Sequence, residues 1–147
     1  MTIANNDGNE NPFSFSLTGE GTAPEIQVSG GGVLNLDFVI ADGDTTPSTA
    51  DHTDFGVTDV AAGQARRTFT INNLGEEALL LPSGASLSGS HAADFTIVSQ
   101  PAASVSGGGF SSTTVTVEFD PSAVGVRTAT LTIPNNDVDE SPFDFAI

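Results

Sequence analysis

The segment TTVTVEF, residues 113–119, alternates apolar and polar side chains without a break. Val115, Val117 and Phe119 fall on one face; Thr114, Thr116 and Glu118 fall on the other. A run with that period of two gathers its apolar side chains on one side only as a strand, because a helix would scatter them around its axis. The pattern recurs with Phe69 and Ile71 in RTFTI, with Ala129, Leu131 and Ile133 in TATLTI, and with Phe143, Phe145 and Ile147 in FDFAI. LNLDFVI repeats it with Leu34, Leu36, Phe38 and Ile40. Thr and β-branched residues suit such half-buried strands. Turn-forming clusters separate the runs: NNLGEE, PSGAS, SGGGFSS, DPSAVG and NNDVDESP. Short strands so spaced predict an all-β fold, an antiparallel β-sandwich of about seven strands. Phe69, Phe119, Phe143 and Phe145 are expected between its sheets. Only SHAADF offers a helical turn.

A duplication organises the chain. TIANNDGNENPFSF (Thr2–Phe15) returns as TIPNNDVDESPFDF (Thr132–Phe145), 130 residues later. The two share Thr, Ile, Asn, Asn, Asp, Glu, Pro, Phe and Phe at matching positions. A period that long exceeds any solenoid repeat, so each unit should be a complete domain in a tandem array. Residues 1–18 then read as the terminal hairpin of a preceding repeat, or as a donor strand. Residues 19–24 read as a linker and residues 25–147 as one sandwich.

Charge and composition remove several functions. Nineteen acidic residues face three Arg and no Lys, for a net charge of −16. Such a surface repels phosphate backbones and anionic membranes, so neither nucleic acid nor membrane insertion is expected. No apolar run approaches the roughly 18 residues of a spanning helix. Cysteine is absent, which excludes disulfides, zinc-thiolate sites and thiol nucleophiles. The acidic, Lys-free balance favours an extracellular setting.

From Pro24 onward the ordered motifs PEIQVSG, IADGDTTPSTADHTDFG, RTFTINNLGEEALLL, GSHAADFTIVSQP and TTVTVEFDPSAVGVRTATLTIPNNDVDESPFDF resemble the choice-of-anchor D domain of bacterial surface proteins. That domain is related to the ASH and hydin-type immunoglobulin-like modules. The resemblance implies an immunoglobulin-like sandwich of seven strands, usually in tandem. It also implies a secreted or wall-attached bacterial parent. It carries architecture further than activity.

Candidate chemistry is sparse. Ser90, His91 and Asp94 hold the letters of a triad, but their adjacency denies the separated geometry a nucleophile, base and orienter need. His52 reads as a loop histidine. SGGGV and SGGGF lack the Lys of a phosphate loop and read as turns. Calcium is the one cofactor to weigh. Asp42, Asp44, Asp51 and Asp54 share one loop, and Asn136, Asp137, Asp139 and Glu140 share another. Calcium takes six to eight oxygens from such adaptable loops. Asx-turns and a hairpin turn explain the same residues without metal. Asn6, Asp7 and Glu10 match the second set.

These readings lead to a non-catalytic structural repeat, a stalk or filament unit associating head-to-tail with copies of itself. The alternative is an adhesin-type module for a protein or glycan ligand, with or without a dependence on calcium. An enzyme is disfavoured. The absence of Trp and Tyr weighs against glycan binding. Phe13, Phe15 and Leu17, with Phe143 and Phe145, are the candidate self-association residues. Each Phe pair ends a copy of the duplicated segment, with Leu17 continuing the alternation of the first, and one sandwich has a single slot for that segment.

Overall fold

A computed structural model describes residues 1–31, 38–109 and 111–147. The expected positions Leu34 and Leu36 lie outside the described residues. The chain is all-β, and two strands set the frame. β5 (Ala65–Asn73) and β10 (Ser111–Phe119) pair antiparallel along nine residues each, from Ser111 opposite Asn73 to Phe119 opposite Ala65. Around them form β3 (Ile26–Ser29), β4 (Val39–Ile40) and β8 (Phe95–Ser99), giving a five-stranded sheet in the order β4-β3-β5-β10-β8. The facing sheet is β12 (Phe143–Ala146), β11 (Thr130–Ile133) and β7 (Ser86–Ser88), in that order. β6 (Leu79–Leu80) and β9 (Ser104–Val105) form a short ribbon. β1 (Thr2–Ile3) and β2 (Phe13–Ser14) form a separate hairpin. SHAADF contributes one 3-10 turn, Ala92–Asp94.

The alternation read from the sequence becomes the core. Phe69, Ile71, Val115, Val117 and Phe119 project from the larger sheet; Leu131, Ile133, Phe143, Phe145 and Ile147 project from the smaller. Phe69 and Phe145 meet across the gap with ring centroids 5.1 Å apart. A second aromatic group, Phe55, Phe95 and Phe119, closes one end, with Phe95 stacked on Phe119 at 4.7 Å. Aromatic pairs in these geometries add to the burial of their area.

Two expectations need correction. The described residues form twelve strands rather than about seven. Several are two-residue pairings at sheet edges, and one hairpin stands apart from the sandwich. Nor is the Thr face of the alternating runs wet throughout: Thr70 of β5 is buried, as is Ser29 opposite it on β3. The loop at residues 47–54 folds against this end of β3, and a Cβ on Gly30 would lie 1.8 Å from the Asp51 carbonyl oxygen. Only glycine admits that approach.

The chain changes sheets just after β4. Ile40 pairs within the large sheet, and three residues later Gly43 donates its N–H to the Asp144 carbonyl of β12. Ala146 in turn donates to the Asp44 carbonyl. The 42–44 segment thereby covers the free edge of β12, an edge that would otherwise offer its backbone to another chain.

Candidate functional site: a duplicated hairpin

The C-terminal hairpin is built by its turn. Asn135 Oδ1 accepts from the Asp137 N–H at 2.8 Å, and Asn135 Nδ2 donates to the Glu140 carbonyl at 2.8 Å. One side chain thus closes the loop between β11 and β12 in the manner of an Asx-turn. The next two residues reach outward. Asn136 Oδ1 accepts from the Leu80 N–H at 2.7 Å, and Asn136 Nδ2 donates to the Ala78 carbonyl at 3.2 Å. Asp137, buried, accepts from the Ile26 N–H through Oδ2 at 2.9 Å. Asn136 latches the turn to β6 and Asp137 latches it to β3. Sequence reading took both residues for turn or calcium positions and missed the latch, because their partners lie 56 and 111 residues away.

The N-terminal segment folds into the same object. Ile3 pairs with Phe13 as Ile133 pairs with Phe143; Thr2 pairs with Ser14 as Thr132 pairs with Asp144. Asn5 Oδ1 accepts from the Asp7 N–H at 2.7 Å, and Asn5 Nδ2 donates to the Glu10 carbonyl at 2.9 Å. The Asn11–Pro12 and Ser141–Pro142 peptide bonds are both cis. The surroundings, however, are opposite. Phe13, Phe15 and Leu17 are 50%, 40% and 71% exposed; Phe143, Phe145 and Ile147 are 1%, 1% and 3% exposed. Among the described residues, the hydrogen bonds of residues 1–17 are made within the hairpin itself. Asn6 and Asp7 therefore stand where Asn136 and Asp137 stand, without the strands those residues latch.

The distribution of differences between the two copies decides what the first one keeps. Of the 14 matched positions, the five that differ are 134, 138, 139, 141 and 144, and none of these is buried. The buried positions of the second copy, Ile133, Asp137, Phe143 and Phe145, are all identical in the first.

The acidic loops are occupied by local hydrogen bonding. Asp44 Oδ1 accepts from the N–H and hydroxyl of Thr46, Asp51 Oδ1 accepts from the N–H and hydroxyl of Thr53, and Asp54 Oδ1 accepts from the Gly56 N–H. Asp42 Oδ1 instead receives the Asp144 N–H of β12 at 2.8 Å. His52 stacks edge-on against Phe38 with centroids 5.3 Å apart. Near the 134–142 turn, burial pushes the Glu140 carboxyl above its ordinary range, and the charges of Glu25, Asp137, Asp42 and Asp139 push it further. Burial raises Glu25 likewise, followed by Asp137 and Asp139. Among the described residues, no group of three or more His, Cys, Asp or Glu side chains is arranged to hold a metal ion. The structure does not bring Asp42, Asp44, Asp51 and Asp54 together as such a group.

Ser90, His91 and Asp94 separate in role. His91 Nδ1 accepts from the Thr128 N–H at 3.1 Å and lies 3.3 Å from the Ser90 hydroxyl. Asp94 turns away to Ser122 and to the Arg127 guanidinium, which hold its carboxyl below the usual range. That partly buried ion pair anchors the loop after β10 and had no signal in the sequence, since Arg127 sits 33 positions away. Beside it, at the end of the sandwich where β12 finishes, lies a groove of about 700 Å3, with Phe55, Phe95 and Phe119 along it and Val57, Val124 and Val126 exposed around it.

Comparison with protein-family models, curated proteins and solved structures finds no match to this chain. No helix among the described residues is long and apolar enough to cross a membrane.

Proposed function

We propose that this chain is a non-catalytic structural repeat of a secreted or cell-surface protein, joined head-to-tail with like modules into a stalk or filament. The observation that supports it is the hairpin of residues 1–17, which reproduces the folded shape and the apolar face of the sandwich's own last two strands and, among the described residues, makes its hydrogen bonds only within itself. Module geometry agrees with stringing. The linker reaches Ile26 at the end of the sandwich marked by the 134–142 turn, and Ile147 pairs with Ala129 at the opposite end. The acidic, Lys-free composition and the resemblance to choice-of-anchor D domains support a bacterial extracellular setting. Neighbouring copies of the domain are the partners in this reading.

Light scattering on the intact chain tests it. An average mass that climbs with concentration is expected, and the climb should vanish in the Phe13→Ser, Phe15→Ser variant. A strictly monomeric chain at high concentration would contradict self-assembly. That result would favour a second reading, a ligand-binding module of adhesin type. The groove at Phe55, Phe95 and Phe119 supports the alternative, since its size falls within the range of small-molecule sites.

A further inference from the structure

We propose that residues 1–17 are a donor hairpin whose seat is the β11–β12 position of a second copy of this domain, latched there by Asn6 and Asp7. The inference rests on the repeat reading and specifies its contact. By the 130-residue match, Ile3, Phe13, Phe15 and Leu17 enter the core positions of Ile133, Phe143, Phe145 and Ile147. Asp7 receives the second copy's Ile26 N–H, and Asn6 bridges its Leu80 N–H and Ala78 carbonyl, as Asp137 and Asn136 do within one chain. An apolar face alone would fit many surfaces. Two polar side chains aimed at backbone groups on two different strands fit one. The matched burial pattern adds to this, because within the 14 matched positions no difference between the copies falls on a buried residue.

The seat lies in another molecule because the hairpin's own sandwich is out of reach. Residues 22–25 are fastened beyond the end of β5: Thr22 Oγ1 donates to Glu77 Oε1, the Ala23 carbonyl accepts from the Glu77 N–H, and the Glu25 carbonyl accepts from the Leu74 N–H. From Leu17 to Thr22 the chain spans at most about 17 Å. Seating Leu17 at the position of Ile147 requires crossing β12 and the fastened segment, about 26 Å together at strand rise. Donor and acceptor are different surfaces, so the contact is head-to-tail and can propagate from copy to copy.

The test vacates the seat in the full chain. Phe143→Asp with Phe145→Asp expels the resident hairpin and leaves the donor intact. This variant is expected to keep its β signal and form a concentration-dependent ladder of multiples in light scattering. Adding Phe13→Asp and Phe15→Asp should leave an unfolded monomer. Adding Asp7→Ala instead keeps the apolar face and removes one latch. It should weaken association about tenfold or more. An unfolded monomer from the first variant overturns the donor role, and a folded monomer overturns the second-copy seat. Equal association with and without Asp7, or association that survives loss of Phe13 and Phe15, overturns the latch in favour of general adhesion. If the intact chain stays monomeric while the vacated chain polymerises, self-assembly of the intact module fails but the seat stands.

Discussion

Phe145→Ala is expected to destabilise the sandwich by about 3–5 kcal/mol, whereas Phe15→Ala, its match in the first hairpin, should change stability by no more than about 0.5 kcal/mol. The two residues occupy matching positions of two hairpins of nearly the same sequence, so most of the propensity difference cancels between them. The difference lies in packing. Phe145 sits between the sheets with its ring 5.1 Å from Phe69 and 6.2 Å from Phe143. Truncation there removes apolar burial and leaves a cavity that a dense interior fills only in part. Phe15 makes one tilted ring contact, with its neighbour Phe13, and is 40% exposed. A loss of 3–5 kcal/mol is comparable to the whole stability of many domains, so Phe145→Ala should approach unfolding at room temperature. Urea denaturation followed by circular dichroism measures both variants. Equal costs at the two positions would break the account of the first hairpin as unpartnered.

The same comparison applies to the polar latch. Asp137→Ala removes the acceptor of the Ile26 N–H and strands that donor in the interior, at an expected cost of about 2 kcal/mol. Asp137 and Ile26 are both buried, so the stranded donor bears its desolvation cost. Asp7→Ala removes only an exposed contact to the Asn9 N–H and should fall within about 0.5 kcal/mol of the parent. Denaturation midpoints of the pair resolve a difference of that size. A cost below about 0.5 kcal/mol for Asp137→Ala would mean the turn is held by Asn136 and packing alone.

The fold was legible in the alternating runs because burial of one face is a local matter of period. RTFTI, TTVTVEF, TATLTI and FDFAI all became strands with the expected residues inside. The strand count was not legible. Whether two residues at a sheet edge pair, as Val39–Ile40 do, depends on the strand that reaches them rather than on their own pattern. The duplication was visible as letters, and the exposed Phe13, Phe15 and Leu17 follow from one domain having one slot. The jobs of Asn136 and Asp137 were hidden. An Asn–Asp turn looks alike whether its carboxylate faces water, a cation or a backbone N–H on a distant strand. The acidic loop is ambiguous for a related reason. Asp at the start of a turn serves its own backbone, as Asp44, Asp51 and Asp54 do here, and closeness in sequence gives no indication that carboxylates converge.

The central claim is that the two hairpins are interchangeable inserts for one seat. The most direct measurement is the unfolding free energy of the full chain with residues 132–145 replaced by the sequence of residues 2–15. That exchange amounts to Pro134→Ala, Val138→Gly, Asp139→Asn, Ser141→Asn and Asp144→Ser. Each change falls outside the buried set, and the Asp144 bonds to Asp42 and Gly43 use its backbone. Five such surface changes should sum to no more than about 2 kcal/mol. The account predicts a cooperative, folded chain within that margin of the parent. A chain that fails to fold, or that loses about 4 kcal/mol or more, would show that the first hairpin no longer fits the seat.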